Sequence, residues 1–274
     1  MIYDVYGNKI ETASGSSSSV KPTPKIMRSI AHRGYNTIAP ENTIPAYVLA
    51  KKMGFDIGEC DVGFTSDGVA VLLHDETIDR TSDGTGNIAS MTYEQALQYD
   101  FGSWKSADYA GTKIPTFEEF IRVCKEIQLH PYIELKNGST YTQAQINSVV
   151  GMVKAAGMQG NVTYVSFNAT YLGYVKTADP TARLGYVVRP ADATARATVG
   201  NLRTGSNEVF LMANYQQTTD DMIAICKDSN IPVEVWCPND ASWIKNMNPY
   251  ITGVTSDSLN AEKVLKEKHI AKEA

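Results

Sequence analysis

No stretch of this chain approaches the ~20 consecutive apolar residues that a helical membrane span requires, so no span is expected. Basic clustering is missing as well. The net charge is −5 and no patch of Lys and Arg stands out, which argues against a nucleic-acid partner. The N-terminus lacks a basic segment followed by an apolar one, so no secretory signal is read and a cytoplasmic location is expected. Attachment to a surface or virion through the N-terminal extension is the alternative. Cys60, Cys124, Cys226 and Cys237 form no CxxC pair, and each lies in or beside an apolar segment. They read as buried free thiols, not zinc ligands. Histidine is scarce too, with four in 274 residues.

What is present is a globular composition, 43% hydrophobic and 20% charged, with enough apolar surface for one large core. Residues 1–24 read as an N-terminal extension. Met1 to Thr12 is too short to fold alone, and the ASGSSSS run from Ala13 to Ser19 leads into Lys21-Pro22-Thr23-Pro24 as a flexible linker that stiffens. The body, 25–274, alternates β-rich and helical segments. Strands are expected at Arg28–Arg33, Phe55–Asp61, Val69–Leu73, Pro131–Lys136, Val162–Phe167, Arg183–Val188, Glu208–Met212, Pro232–Trp236 and Ile251–Ser256. Helices are expected near Thr43–Met53, Thr116–Glu126, Tyr141–Ala156, Ala169–Thr177, Ala191–Leu202, Thr218–Ser229, Ala241–Met247 and Ala261–Lys268.

Such alternation predicts a parallel sheet. Nine strands are one too many for a (β/α)₈ barrel. Ser66-Asp67-Gly68, however, is a tight-turn signal between Asp61 and Val69, and a parallel neighbour would need a crossover of a dozen or more residues. Val69–Leu73 is therefore an antiparallel return strand, and eight parallel strands remain. The expected fold is a TIM barrel with a small capping insertion after the second strand, about residues 76–113. Within it, Thr92-Tyr93-Glu94-Gln95 resembles a capping-box helix start. The insertion also carries Tyr93, Tyr99, Phe101, Trp104 and Tyr109. It is expected to fold over the mouth and form one wall against a leaving group.

Active sites of such barrels form at the carboxyl ends of the strands. His32-Arg33 falls at the end of strand one, Glu59 and Asp61 at the end of strand two, and Glu134 and Lys136 at the end of strand three. Phe167, Trp236 and Asp257 fall at the ends of strands four, seven and eight. A spacing of two sends both members of each pair to one side of the strand and turns Cys60 away from its neighbours. Three carboxylates converging on one mouth repel one another unless a cation is shared. A hard, oxygen-ligated ion, Mg²⁺ or Ca²⁺, resolves this. His74 follows the return strand. His130, at a strand start, and His269, on a Lys-rich helix, read as structural or surface residues.

In order along the chain, His32-Arg33-Gly34, Pro40-Glu41-Asn42-Thr43, Glu59-Cys60-Asp61-Val62, Thr65-Ser66-Asp67-Gly68, His74-Asp75, Asp79-Arg80-Thr81, Glu134-Leu135-Lys136, Ser166-Phe167 and the Trp236 strand resemble the glycerophosphodiester phosphodiesterase family. The resemblance covers roughly Ile26 to Leu259. It implies hydrolysis of a small-molecule glycerophosphodiester to glycerol 3-phosphate and an alcohol, with one divalent cation. By the same resemblance, Glu59, Asp61 and Glu134 hold the metal, and His32 and His74 are the acid–base pair. Arg33 and Lys136 contact phosphate, Phe167 and Trp236 contact substrate, and Glu41 and Asn42 support the site. Cys237-Pro238 after Trp236, and the Gly253-to-Asp257 run, depart from the family pattern at the pocket rim. The alternative substrates are a glycerol-phosphate polymer such as teichoic acid, suggested by the Ser-rich linker, or a lysophospholipid. The alternative from another class is a non-catalytic phosphate-binding barrel.

Overall fold

Short runs rich in Val, Ile and Tyr, each followed by a capped amphipathic segment, set the architecture. The computed structural model describes residues 2–3, 9–10, 27–136 and 141–273, with side chains described for 27–136 and 141–268. The strands are β1 (Ile2–Tyr3), β2 (Lys9–Ile10), β3 (Arg28–Ala31), β4 (Ile57–Phe64), β5 (Ala70–Leu72), β6 (His130–Leu135), β7 (Thr163–Ser166), β8 (Arg183–Val188), β9 (Val209–Asn214), β10 (Val233–Trp236) and β11 (Ile251–Ser256). The helices are α1 (Ile44–Lys52), α2 (Tyr93–Ala96), α3 (Phe117–Ile127), α4 (Gln143–Ala155), α5 (Ala169–Ala178), α6 (Ala193–Leu202), α7 (Asp220–Asp228), α8 (Ala241–Asn246) and α9 (Ala261–Glu273). β1 and β2 pair with each other. The Ser-rich segment read as a linker, and the side chain of His269, lie outside the described residues. Among the described residues no helix is long and apolar enough to cross a membrane.

Eight parallel strands close on themselves in the order β3, β4, β6, β7, β8, β9, β10, β11, with β11 pairing back to β3. A helix follows each on the outside, which makes the molecule a TIM barrel. β5 returns antiparallel on β4, pairing Val62 with Leu72 and Phe64 with Ala70, as the turn at Ser66-Asp67-Gly68 implied. Two outer helices begin with full capping boxes, Thr92 with Gln95 and Thr142 with Gln145, in which side chain and backbone satisfy one another's free groups.

Inside the barrel, Ile30, Tyr132, Val165, Val187, Phe210 and Met212 form an apolar plug. The fit is tight enough to require a glycine. A Cβ on Gly185 would lie 2.4 Å from Phe210 and 2.8 Å from Val165. Below the plug, at the strand starts, the fully buried Glu234 accepts from Arg183 at 2.7 Å, with Arg28 at 3.7 Å. Outside the strands, Val62, Ile133 and Leu135 pack against Phe120, Cys124 and Val149 of the helices. Fully burying such a side chain is worth about 1.5–3 kcal/mol. Cys60 faces this outer core, as alternation predicts.

Several boundaries differ from expectation, each for a local reason. β4 overshoots Asp61 by three residues because the β5 hairpin prolongs it beyond the rim, so Glu59 and Asp61 sit in mid-strand. β3 stops at Ala31 because Arg33 adopts a left-handed backbone, φ 54°. Lys136 and Phe167 fall one residue past their strands. Cys60, Cys124 and Cys226 are buried free thiols, whereas Cys237, just beyond β10 at the mouth, is only partly covered.

Candidate active site

The tripeptide after β3 turns the chain sharply inward. Arg33 and Gly34 both have positive φ, and a Cβ on Gly34 would lie 2.6 Å from Ala46 of α1. A non-glycine residue in this region costs on the order of 1–3 kcal/mol and persists where surrounding contacts impose it. Here the Arg33 amide donates to Glu59 Oε2 at 2.9 Å, which ties the turn to the second barrel strand. Asn42, also left-handed at φ 56°, performs a matching task. Its amide donates to Asp61 Oδ2 at 2.8 Å, and its Oδ1 accepts from the Asp61 amide at 3.1 Å and the buried Tyr47 hydroxyl at 2.9 Å.

Parallel pairing puts Asp61 directly beside Glu134, and Glu59 lies two residues before Asp61 on the same face. One oxygen from each of Glu59, Asp61 and Glu134 lies within 4.8 Å of the others. Glu59 Oε1, Asp61 Oδ1 and Glu134 Oε1 are all buried and make no hydrogen bond. Burial, with Asp61 and Glu134 next to it, pushes Glu59 well above the carboxylate range. Burial and Asp61 likewise raise Glu134. Burial works against Asp61 too, but Lys136, Arg33 and His74 hold it down. Lys136 Nζ lies 3.2 Å from Glu134 Oε1 and 3.4 Å from Asp61 Oδ1, and Arg33 Nε lies 3.3 Å from Asp61 Oδ2. Three converging oxygens that accept no hydrogen bond, two of them beside Lys136, fit a hard cation such as Mg²⁺ or Ca²⁺.

The two imidazoles lie at the same mouth, His74 close enough to act on the charge of Asp61 and His32 on that of Glu134, and each is fixed through Nδ1. His32 Nδ1 is 2.7 Å from Asp257 Oδ1, and His74 Nδ1 is 2.6 Å from Asp75 Oδ1. The side chains are 22% and 29% exposed, against 1% for Asp61, so both rings reach solvent while Asp61 does not. Asp257 is itself held by the amides of Asn36 at 2.6 Å and Asn239 at 2.5 Å. Hydrogen bonds from Arg80, with a smaller one from His74, bring Asp75 down to about 2. Arg80 in turn grips Glu41 with two nitrogens, at 2.7 and 2.9 Å, and Glu41 accepts from Arg33 at 2.9 Å. One chain of ion pairs therefore runs from His74 through Asp75, Arg80, Glu41 and Arg33 to Asp61.

Of the residues given a site role in the sequence, His32, Arg33, Glu41, Asn42, Glu59, Asp61, His74, Glu134 and Lys136 lie in this region, and Phe167 and Trp236 stand at the carboxyl ends of β7 and β10, where their rings meet edge to face 5.8 Å apart. His130 is at the opposite end, beside Thr163. Sequence reading assigned no role to Asp257, Asp75, Arg80, Asn36 or Asn239. The His74-Asp75 adjacency and the Asp79-Arg80-Thr81 run were local signals for two of them. Asp257 lies 225 residues from His32, and only barrel closure brings the two together. The insertion builds its own small core from Val71, Leu73, Ile78, Ile88, Met91, Ala96, Phe101 and Ile114. Its aromatic residues are placed as follows. Phe101 is inside that core, Tyr93 and Tyr99 pack onto it, and Arg80 is the side chain that spans to Glu41. Thr81 and Phe101 do share a small cavity with His74 at the rim.

Fold and site together define a (β/α)₈ barrel with a carboxylate trio and two carboxylate-anchored imidazoles at its mouth. The model of the glycerophosphoryl diester phosphodiesterase family matches residues 32–261, and the chain belongs to that family. It is similar to a glycerophosphodiester phosphodiesterase of Caldanaerobacter subterraneus subsp. tengcongensis, 35% identical over 156 residues, which are 57% of this chain and 64% of that protein. Human glycerophosphodiester phosphodiesterase 1 is 40% identical over 119 residues, 43% of this chain and 36% of that one. The match thus spans less than two thirds of these relatives. Among solved structures, an Oleispira antarctica phosphodiesterase in complex with the product sn-glycerol-3-phosphate superposes with a TM-score of 0.76 at 25% identity, over 89% of this chain and 97% of that one. A glycerophosphodiester phosphodiesterase from Agrobacterium tumefaciens shares the fold, with a TM-score of 0.73 at 24% identity over 88% and 100%.

Proposed function

We propose that the protein hydrolyses glycerophosphodiesters to glycerol 3-phosphate and an alcohol by two-histidine acid–base catalysis beside a divalent cation. One observation carries this reading. Two imidazoles, each anchored through Nδ1 to its own carboxylate, share the mouth with three carboxylates, each of which has a buried oxygen that accepts no hydrogen bond. Glu59, Asp61 and Glu134 would hold Mg²⁺ or Ca²⁺. Bound there, the ion would polarise the phosphoryl group and offset charge developing on it.

The chain's own residues do the remainder. With Nδ1–H given to a carboxylate, Nε2 of a neutral ring carries a free lone pair aimed at the mouth. One histidine takes the proton of the attacking hydroxyl there, and the other, protonated, delivers its Nε2 proton to the leaving alkoxide. Lys136 and Arg33 add fixed positive charge next to the trio. Phe167 and Trp236 offer the mouth an apolar edge for the carbon skeleton. Glu41 and Asn42 hold Arg33 and Asp61 in place. The product named in the Oleispira antarctica complex supports glycerol 3-phosphate as the product here.

The test is release of glycerol 3-phosphate from glycerophosphocholine, with short glycerol-phosphate polymers alongside. Release from glycerophosphocholine in the presence of Mg²⁺ or Ca²⁺ is expected. Release from the polymers alone moves the reading to polymer hydrolysis, and no release from either overturns it.

A further inference from the structure

Cys237 departs from the buried, inert state of the other three thiols. It leaves the last residue of β10 at the mouth and is partly exposed. His32 and Asp257 reach the same spot from the loops after β3 and β11. One donor atom from each of His32, Cys237 and Asp257 lies within 4.8 Å of the other two. The carboxylate is pre-positioned by Asn36 and Asn239, so one arm of the triangle is already rigid.

A thiol, an imidazole and a carboxylate are the donor set of a borderline-soft ion, whereas the trio of Glu59, Asp61 and Glu134 offers oxygen alone. Zinc bonds of ~2.0–2.3 Å in a tetrahedron place donors about 3.5 Å apart. Gaps of up to 4.8 Å must therefore close by roughly an ångström.

We propose that His32, Cys237 and Asp257 form a second, inhibitory site for a thiophilic divalent cation such as Zn²⁺ or Cd²⁺, separate from the hard-cation trio. Binding expels the Cys237 Sγ proton to solvent, since a coordinating thiol is deprotonated outright. Coordination through His32 Nε2 occupies the lone pair. Coordination through Nδ1 shifts the ring proton to Nε2 and removes the lone pair there as well. In both cases His32 can no longer accept a proton at Nε2. Inhibition rests on the acid–base role proposed above for His32, whereas binding does not.

The test uses the full chain with Mg²⁺ or Ca²⁺ in excess, titrated with Cd²⁺ and followed by the ultraviolet thiolate-to-cadmium charge-transfer band. One such band should develop in the unmodified protein and be absent in Cys237→Ser, with turnover falling in parallel only in the former. For Zn²⁺, the inhibitory concentration should rise by about tenfold or more in Cys237→Ser, since even outer partners of a metal are worth that much. No band, or an equal band in Cys237→Ser, overturns the site. A Cys237-dependent band without inhibition upholds the site, overturns its inhibitory effect and removes His32 from the proton transfer.

Discussion

His32 and His74 are each one bond away from a carboxylate that decides which ring nitrogen carries the proton. At this scale the candidate chemistry is a matter of tautomers. His32→Ala and His74→Ala should each lower kcat by about 10²–10⁴-fold, the usual worth of a general acid or base. The rings lie outside the packed layers, so stability should change by about 1 kcal/mol or less. Asp257→Asn is the more searching variant. Its new amide can present a donor to Nδ1 and reverse the tautomer, so kcat should fall by on the order of 10²-fold or more while KM stays near its original value. Steady-state kinetics beside a thermal melt separates these outcomes. A melt that collapses together with kcat would make the residue structural. Unchanged turnover in either histidine variant would remove that ring from the reaction.

Among elements, the insertion and the β4–β5 hairpin bear most on the site. The hairpin prolongs β4 beyond the rim, and the segment after β5 packs its rings around Phe101 and sends Arg80 back to Glu41 and Asp75. Arg80 is nearly half exposed, yet it joins two acidic groups that hold His74 and Arg33. Arg80→Ala should therefore act through orientation, with kcat falling by about tenfold or more and the melt little changed. Arg80→Lys should rescue only part, because an ammonium cannot reproduce the fork that spans both carboxylates. Full activity in Arg80→Ala would mean that the bridge is surface decoration.

How far such features can be read in advance depends on their range. The antiparallel return strand, the capping box at Thr92, the outward turn of Cys60 and the shared face of Glu59 and Asp61 follow from turn chemistry and strand alternation, which are local, whereas Glu134 joins that pair through the pairing of β6 with β4. The Asp257–His32 pair and the ring packing of the insertion depend on barrel closure and on which face an irregular segment buries. No local pattern encodes either. Exposure of Cys237 belongs with these, because an apolar neighbourhood in sequence does not place a residue below or above the rim.

The whole molecule is a barrel stoppered at one end and charged at the other. Glu234 at the floor is fully buried and bonded to Arg183, while Arg28 stands farther off. Removing one partner of such a pair leaves a charge buried and typically costs 3–5 kcal/mol. Arg183→Met should lower the melting temperature strongly yet leave the fraction still folded near normal KM, since the floor does not touch the mouth. A fall in kcat/KM at temperatures where the variant is fully folded would show that floor and mouth are coupled.

At the mouth the expectation reverses, because the stabilising partner proposed there is a cation. Among the described residues, Glu59, Asp61 and Glu134 each bury an oxygen that accepts no hydrogen bond, and the nearby charges of Arg33 and Lys136 offset only part of theirs. A hard cation that binds the folded barrel and not the unfolded chain adds about 2.7 kcal/mol at one hundred times its Kd. For a chain of this size that corresponds to a rise in melting temperature of about 5–10 °C. Mg²⁺ or Ca²⁺ should produce the rise, a chelator should remove both the rise and the turnover, and readdition should restore both. Asp61→Asn should abolish the cation-induced rise, since it weakens the ligand set. A rise of equal size in Asp61→Asn would place the cation elsewhere, and full turnover after exhaustive chelation would remove it from the chemistry.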